Sequence, residues 1–297
     1  MLDILLCIIS SASLIVIFKI SGQRQVRTLP MIVVNYWVAA TIGFLMLEEV
    51  PAVDYITSKS WLPLAVLLGI MFITVFNLIG MSTLRSGIAV TAIAQKMSLA
   101  IPIVAAVFLF GESLSVIKVG GIFLALGSIL MTTYKPKKLI AEDDLTNHKP
   151  SVKWAMLLPL VVFFGSGLCD TVVNVVNKWH LEAHDTDLLN TILFVTAAVA
   201  GSIFLIIQLL RGAETLRWRQ LGFGVVLGIP NYFSIFYLLK SLQRSGMESS
   251  VVFPIVNIGV VTTAAILAYF GFKEHLTNLN VAGIIVAVMA IWILAVV

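Results

Sequence analysis

The sequence predicts an all-α integral membrane protein: ten transmembrane helices in two inverted five-helix repeats. Three observations carry this. The 297 residues are 60% hydrophobic and only 11% charged, with a mean hydropathy of +1.05, whereas soluble domains carry about 25% charge. A soluble fold of this size has too little charge here to cover its apolar surface, so a bilayer is the natural solvent. The apolar residues fall into ten runs near the roughly 20 residues that a spanning helix needs. The chain also repeats itself. Residues 69–87, GIMFITVFNLIGMSTLRSG, return as residues 228–246, GIPNYFSIFYLLKSLQRSG. A shift of 159 lays Gly69 on Gly228, Ser82 on Ser241, Arg85 on Arg244, Gly87 on Gly246 and Lys19 on Lys178.

The predicted spans are 2–20, 30–47, 61–83, 88–110, 115–134, 153–176, 187–210, 219–241, 249–270 and 277–297. The first opens MLDILLCIIS. It lacks the basic start and small-residue cleavage pattern of a signal peptide, so it reads as a retained helix. The second carries Asn35, Tyr36 and Trp37 near one end, and the third Phe72, Phe76 and Asn77. The fourth holds Lys96 at mid-depth, and Glu112 precedes the fifth. Residues 135–152, KPKKLIAEDDLTNHKPSV, are polar and charged and read as a linker between repeats at 1–134 and 153–297. The sixth span contains Asp170, the eighth Asn231 and Tyr232, and the ninth Pro254 and Asn257, while Glu274 precedes the tenth. The 159 register holds through four helices of each repeat. It then becomes 162, with Glu112 on Glu274 and Gly121 on Gly283, so three residues have entered the second copy. Five helices per repeat is an odd number, so the second copy enters the membrane in the opposite sense.

Lysine and arginine counts orient the chain. One face holds thirteen: Lys19, Arg24, Arg27, Arg85, Lys135, Lys137, Lys138, Lys149, Lys153, Arg211, Arg217, Arg219 and Lys273. The other holds five: Lys59, Lys118, Lys178, Lys240 and Arg244. The richer face is expected in the cytoplasm, with both termini outside. The net charge of +4 lies mostly in connecting segments, so it points to lipid headgroups and orientation and away from nucleic acid. Cys7 and Cys169 show no ligand spacing and no disulfide framework.

Lys96 is the only one of the nineteen basic residues in mid-membrane, roughly 13 Å along its helix at 1.5 Å per residue. A lysine there costs about 2.5–3.5 kcal/mol on insertion scales unless it faces a partner or water. That penalty points to a cavity-lining role, binding a carboxylate or phosphate; the alternative is a buried pair that only locks the helix. Gln95 and Ser98 flank it, and Asn257 lies at similar depth in the symmetry-related helix, where it matches Ser98. Asn231 and Tyr232 have polar atoms that need partners at depth. Asp170 and Asn174, with Asn177, share one stripe of a helix, which reads equally as a polar gate or as interhelical hydrogen bonding. Glu112 and Glu274 suit helix N-termini and are predicted as structural caps. His180 and His184 sit at i and i+4, but in a loop, where a solvated pair is favoured over a metal site. No nucleotide-binding or hydrolase motif is present, and no cofactor is expected.

Ten helices in two inverted halves resemble the drug/metabolite transporter superfamily, specifically its EamA-type members. Residues 102–114, PIVAAVFLFGESL, are similar to the family's stretch from a proline to a Gly-Glu turn, and residues 264–276, AAILAYFGFKEHL, are a weaker second copy. Lys19 and Lys178 also match the family's habit. The resemblance implies a secondary transporter working by alternating access, not an enzyme, that exports amino acids, their derivatives or similar metabolites across a bacterial inner membrane. It also implies cytoplasmic termini, opposite to the charge count. A small-molecule substrate, the lipid bilayer and a coupling proton are the expected partners, in a monomer or homodimer. Two alternatives stand beside this: a carrier of nucleotide-linked or lipid-linked sugars, and a membrane enzyme acting on a lipid headgroup through His180 and His184.

Overall fold

The computed structural model describes residues 1–86, 88–113, 115–133, 152–272 and 277–296. Nearly all of the expected linker and Glu274 lie outside them. The helices are α1 (Leu2–Gln23), α2 (Thr28–Met46), the short α3 (Val53–Thr57), α4 (Leu62–Ser86), α5 (Ile88–Met97), α6 (Ala100–Phe110) and α7 (Val116–Thr133). There follow α8 (Val152–Trp179), a 3₁₀ turn at Ala183–Asp185, α9 (Thr186–Leu210), α10 (Trp218–Arg244), α11 (Ser249–Phe272) and α12 (Asn278–Val296). No strand occurs among the described residues. Eight of these helices are long and apolar enough to cross a bilayer, and Ala94–Phe110 and Val116–Thr132 are shorter apolar stretches.

One expected element is corrected. The fourth span, read as a single helix over 88–110, is two helices with a turn at Ser98–Leu99. Pro102 supplies the reason. It has no N–H to give the Ser98 carbonyl, and its ring crowds that same carbonyl. Ser98 accepts instead from the Ile101 N–H at 2.9 Å, and Leu99 N–H reaches only back to Lys96, at 3.4 Å. These three-residue steps tighten the chain into 3₁₀ form, which in mid-helix often marks a hinge.

The chain forms two compact units. Unit one is Met1–Thr74 with Val172–Gly246, and unit two is Val75–Thr171 with Met247–Val297. Each draws on both repeats, so the compact units cut across the repeat boundaries, with limits inside α4, inside α8 and in the turn between α10 and α11. In unit one, α2 packs against α9 and α10, and α1 against α10. Its core includes Met31, Trp61, Phe194 and Tyr232. In unit two, α7 packs against α11 and α12, and α11 also against α6.

Close glycine contacts follow the duplication. A Cβ built at Gly69 meets the Leu193 carbonyl oxygen at 2.6 Å and Ala197 N at 3.0 Å; one at Gly228 meets Val38 Cβ at 2.5 Å. Ala197 and Val38 are equivalent in the 159 register. In unit two, Gly121 sits against Leu294 (2.9 Å) and Gly283 against Thr132 (2.6 Å), and Thr132 and Leu294 are equivalent in the 162 register. In both units the first repeat touches the second as the second touches the first. A two-fold relation between repeats produces this reciprocity. Exposed apolar side chains such as Phe108, Ile203 and Trp292 suit a surface solvated by lipid.

Candidate functional site

The break between α5 and α6 positions the intramembrane lysine. Lys96 lies in the last turn of α5, where the negative end of the helix dipole favours a cation. The Ser98 hydroxyl, almost fully buried, donates to the Gln95 carbonyl at 2.5 Å and covers one group the break exposes. Gln95 and Lys96 are themselves half-buried.

Asp170 is the opposite charge that acts on Lys96. Both belong to unit two. The approach is set by Gly167 on α8: a Cβ there would stand 2.4 Å from Ile101 Cδ1 on α6. Only a residue without a side chain lets the two helices come this near. Asp170 follows Gly167 by three residues and therefore shares its helix face. Among the described residues no ion-pair contact within 4.0 Å joins Lys96 and Asp170.

The remaining predicted residues sort by unit. Asn257 lies in unit two, half-buried, with its amide donating to the Phe253 carbonyl of its own helix at 3.1 Å. Helix α11 runs unbroken past Pro254, unlike the chain at Pro102. Asn174, Asn231 and Tyr232 belong to unit one. Asn174 is buried with partners of its own, and Asn177 beside it donates to the Leu239 carbonyl at 3.1 Å. Tyr232 packs within the core of unit one. It is 0% exposed, stacks on Phe236 at 5.7 Å and donates its hydroxyl to Asp187 at 3.2 Å.

Glu112 is a cap, but for a different helix from the one it precedes. Ser115 caps α7, accepting the Lys118 N–H at 3.1 Å. Glu112, 6% exposed, takes the N–H groups of Ser249 (3.1 Å) and Ser250 (2.9 Å) and the Ser249 hydroxyl (2.5 Å) at the start of α11. Gly111 ends α6 with a left-handed backbone (φ 64°), the turn that glycine favours. Lys118, 3% exposed, pairs with Glu248 and donates to the Ser113 carbonyl at 3.0 Å. Sequence reasoning missed this pair, since 130 residues separate its members and no local pattern links them.

The two loop histidines separate. His180 Nδ1 lies 3.1 Å from Ser60 Oγ. His184 gathers with Glu182 and Asp185, their ligand atoms within 4.8 Å of one another. The Asp185 oxygens are already engaged by Lys59 (2.8 Å), the Tyr55 hydroxyl (2.9 Å) and Trp61 Nε1 (3.3 Å). The hydrogen bond to Asp185, then that to Tyr55, holds the Lys59 ammonium above its ordinary range. A metal ion would have to displace that cation. The cluster works as an ion-pair tie between the α3–α4 loop and the start of α9.

A model of the EamA-like transporter family matches residues 155–296, the second repeat. An uncharacterised protein of Haemophilus influenzae is 28% identical over 297 residues, spanning 98% of this chain and 97% of its own length. A solved crystal structure superposes with a TM-score of 0.76 at 11% identity, over 98% of this chain and 94% of that one. A likeness so remote in sequence shows the fold alone. Over residues 155–296, the matched second repeat, this chain is similar to the EamA-like transporter family.

Proposed function

We propose that this membrane transporter carries a small polar metabolite bearing an anionic group, an amino acid or a derivative, out of a bacterial cell across the inner membrane. The observation that carries the reading is Lys96 at the α5–α6 break with Asp170 opposite. A lysine at a helix end, with a carboxylate in the same unit but no closed ion pair between them, is ready to take a substrate anion. The Lys96 ammonium binds the substrate carboxylate or phosphate, and Asp170 balances it when the site is empty or receives a substrate ammonium group. Gln95, Ser98 and Asn257 add polar contacts from the same unit. The 3₁₀ turn at Ser98–Leu99 is the hinge through which α6 changes its angle to α5, exposing Lys96 to each side of the membrane in turn. A proton suits the arrangement as coupling ion, because Asp170 can take up either a proton or the Lys96 charge.

A thermal-shift screen of purified protein against carboxylate and phosphate metabolites tests this. Ligands that stabilise the wild type are expected to bind Lys96→Ala about 10- to 100-fold more weakly, the loss of one charge-assisted hydrogen bond. A ligand that stabilises wild type and K96A equally removes Lys96 from the site.

A further inference from the structure

At one end of unit one, the α1–α2 turn and the first turns of α10 line an open cavity of about 470 Å³ bounded by Gln23, Arg24, Gln25, Arg219 and Phe223. The neighbouring turns are tied together. Arg27 pairs with Glu214 at 3.1 Å and donates to the Ala213 carbonyl at 2.9 Å. Residues 24–27 and 211–219 contain five arginines and one glutamate. Arg27 takes the glutamate. Arg24 and Arg219 make no side-chain ion pair or hydrogen bond among the described residues. Arg219 also stands in the first turn of α10, where backbone N–H groups add positive potential. Four of the five lining side chains are therefore donors, two of them permanently charged.

The setting identifies the ligand. Leu210 and Trp218, which end α9 and begin α10, are 83% and 85% exposed. An exposed tryptophan at the end of a spanning helix marks the headgroup level of a bilayer. A basic cavity between spanning helices at that level is shaped for a lipid headgroup. We propose that this cavity binds the phosphate of an anionic membrane lipid, with Arg24 and Arg219 on the phosphate oxygens, Gln23 and Gln25 on the remaining polar headgroup atoms, and Phe223 against the glycerol carbons. The site does not depend on the substrate assigned above.

The same phosphate chemistry exists in soluble esters, so the test distinguishes the two. Unfolding temperature and native-mass lipid retention are compared in phosphatidylcholine nanodiscs with and without phosphatidylglycerol. Phosphatidylglycerol is expected to stabilise the wild type and be retained. Arg24→Gln with Arg219→Gln is expected to lower its apparent affinity about 30-fold, from about 1 kcal/mol for each arginine near the surface. Arg24→Lys with Arg219→Lys, which keeps charge but loses the guanidinium fork, is expected to fall between. Arg211→Gln with Arg217→Gln removes the same charge outside the cavity and is expected to retain the lipid. Equal loss in both glutamine pairs, or none in R24Q/R219Q, overturns the proposal. Full stabilisation by free glycerol phosphate in phosphatidylcholine overturns the lipid assignment in favour of a soluble anion.

Discussion

Two backbone N–H groups at the start of α11 depend on the Glu112 carboxylate. Orphan N–H groups at a helix start need a partner, and buried ones need it more. Glu112→Ala is expected to lower stability by about 1–3 kcal/mol, read as thermal unfolding in detergent, and Glu112→Gln by less because one acceptor oxygen remains. An unchanged unfolding temperature for the alanine variant would mean the cap is dispensable. The Lys59–Asp185 pair behaves differently with pH. The folded state raises the Lys59 pKa and lowers that of Asp185, so the pair's stabilisation is full between the ordinary carboxylate and lysine values and is lost as pH rises through the folded lysine value or falls through the folded carboxylate one. At neutral pH the tie to α9 stays closed. The intramembrane position of Lys96 was legible in the sequence, because a lone charge inside an apolar run stands out; its role belongs to the proposal above. The helix that Glu112 serves was not legible, because a carboxylate's neighbours in sequence say nothing about which distant N–H groups fold against it.

At the scale of elements, the proline at 102 has the largest effect. Pro159, Pro230 and Pro254 each lie within helices that continue through them, yet Pro102 coincides with a full break. Pro102→Ala restores an N–H for the Ser98 carbonyl and relieves the crowding, worth up to about 3 kcal/mol in helix propensity. We expect this variant to unfold at a higher temperature yet transport more slowly, since a continuous helix lacks the hinge. A variant with wild-type transport would show that the break has no part in the cycle. The signal for it was present in the sequence, in a proline four residues after Ser98. Periodicity hid it, because an apolar run of 23 residues reads as one span however its backbone is bonded.

At the scale of the whole molecule, orientation is open to direct measurement. The basic-residue count places the 135–152 linker in the cytoplasm, so a cysteine introduced at Lys138 is expected to react only with a membrane-permeant reagent. Both native cysteines are buried and leave the background low. Labelling by an impermeant reagent in intact cells would reverse the topology and favour cytoplasmic termini. The amino-acid sequence by itself determined the solvent, the helical class, the duplication and the lone lysine, because composition and period are properties of the chain as written. Only the tertiary structure decided that each compact unit mixes both repeats, that Lys118 pairs with Glu248 and that Glu112 caps α11. Those are contacts between residues tens to more than a hundred positions apart, chosen by which surfaces pack closest, and nothing local in the chain encodes that choice.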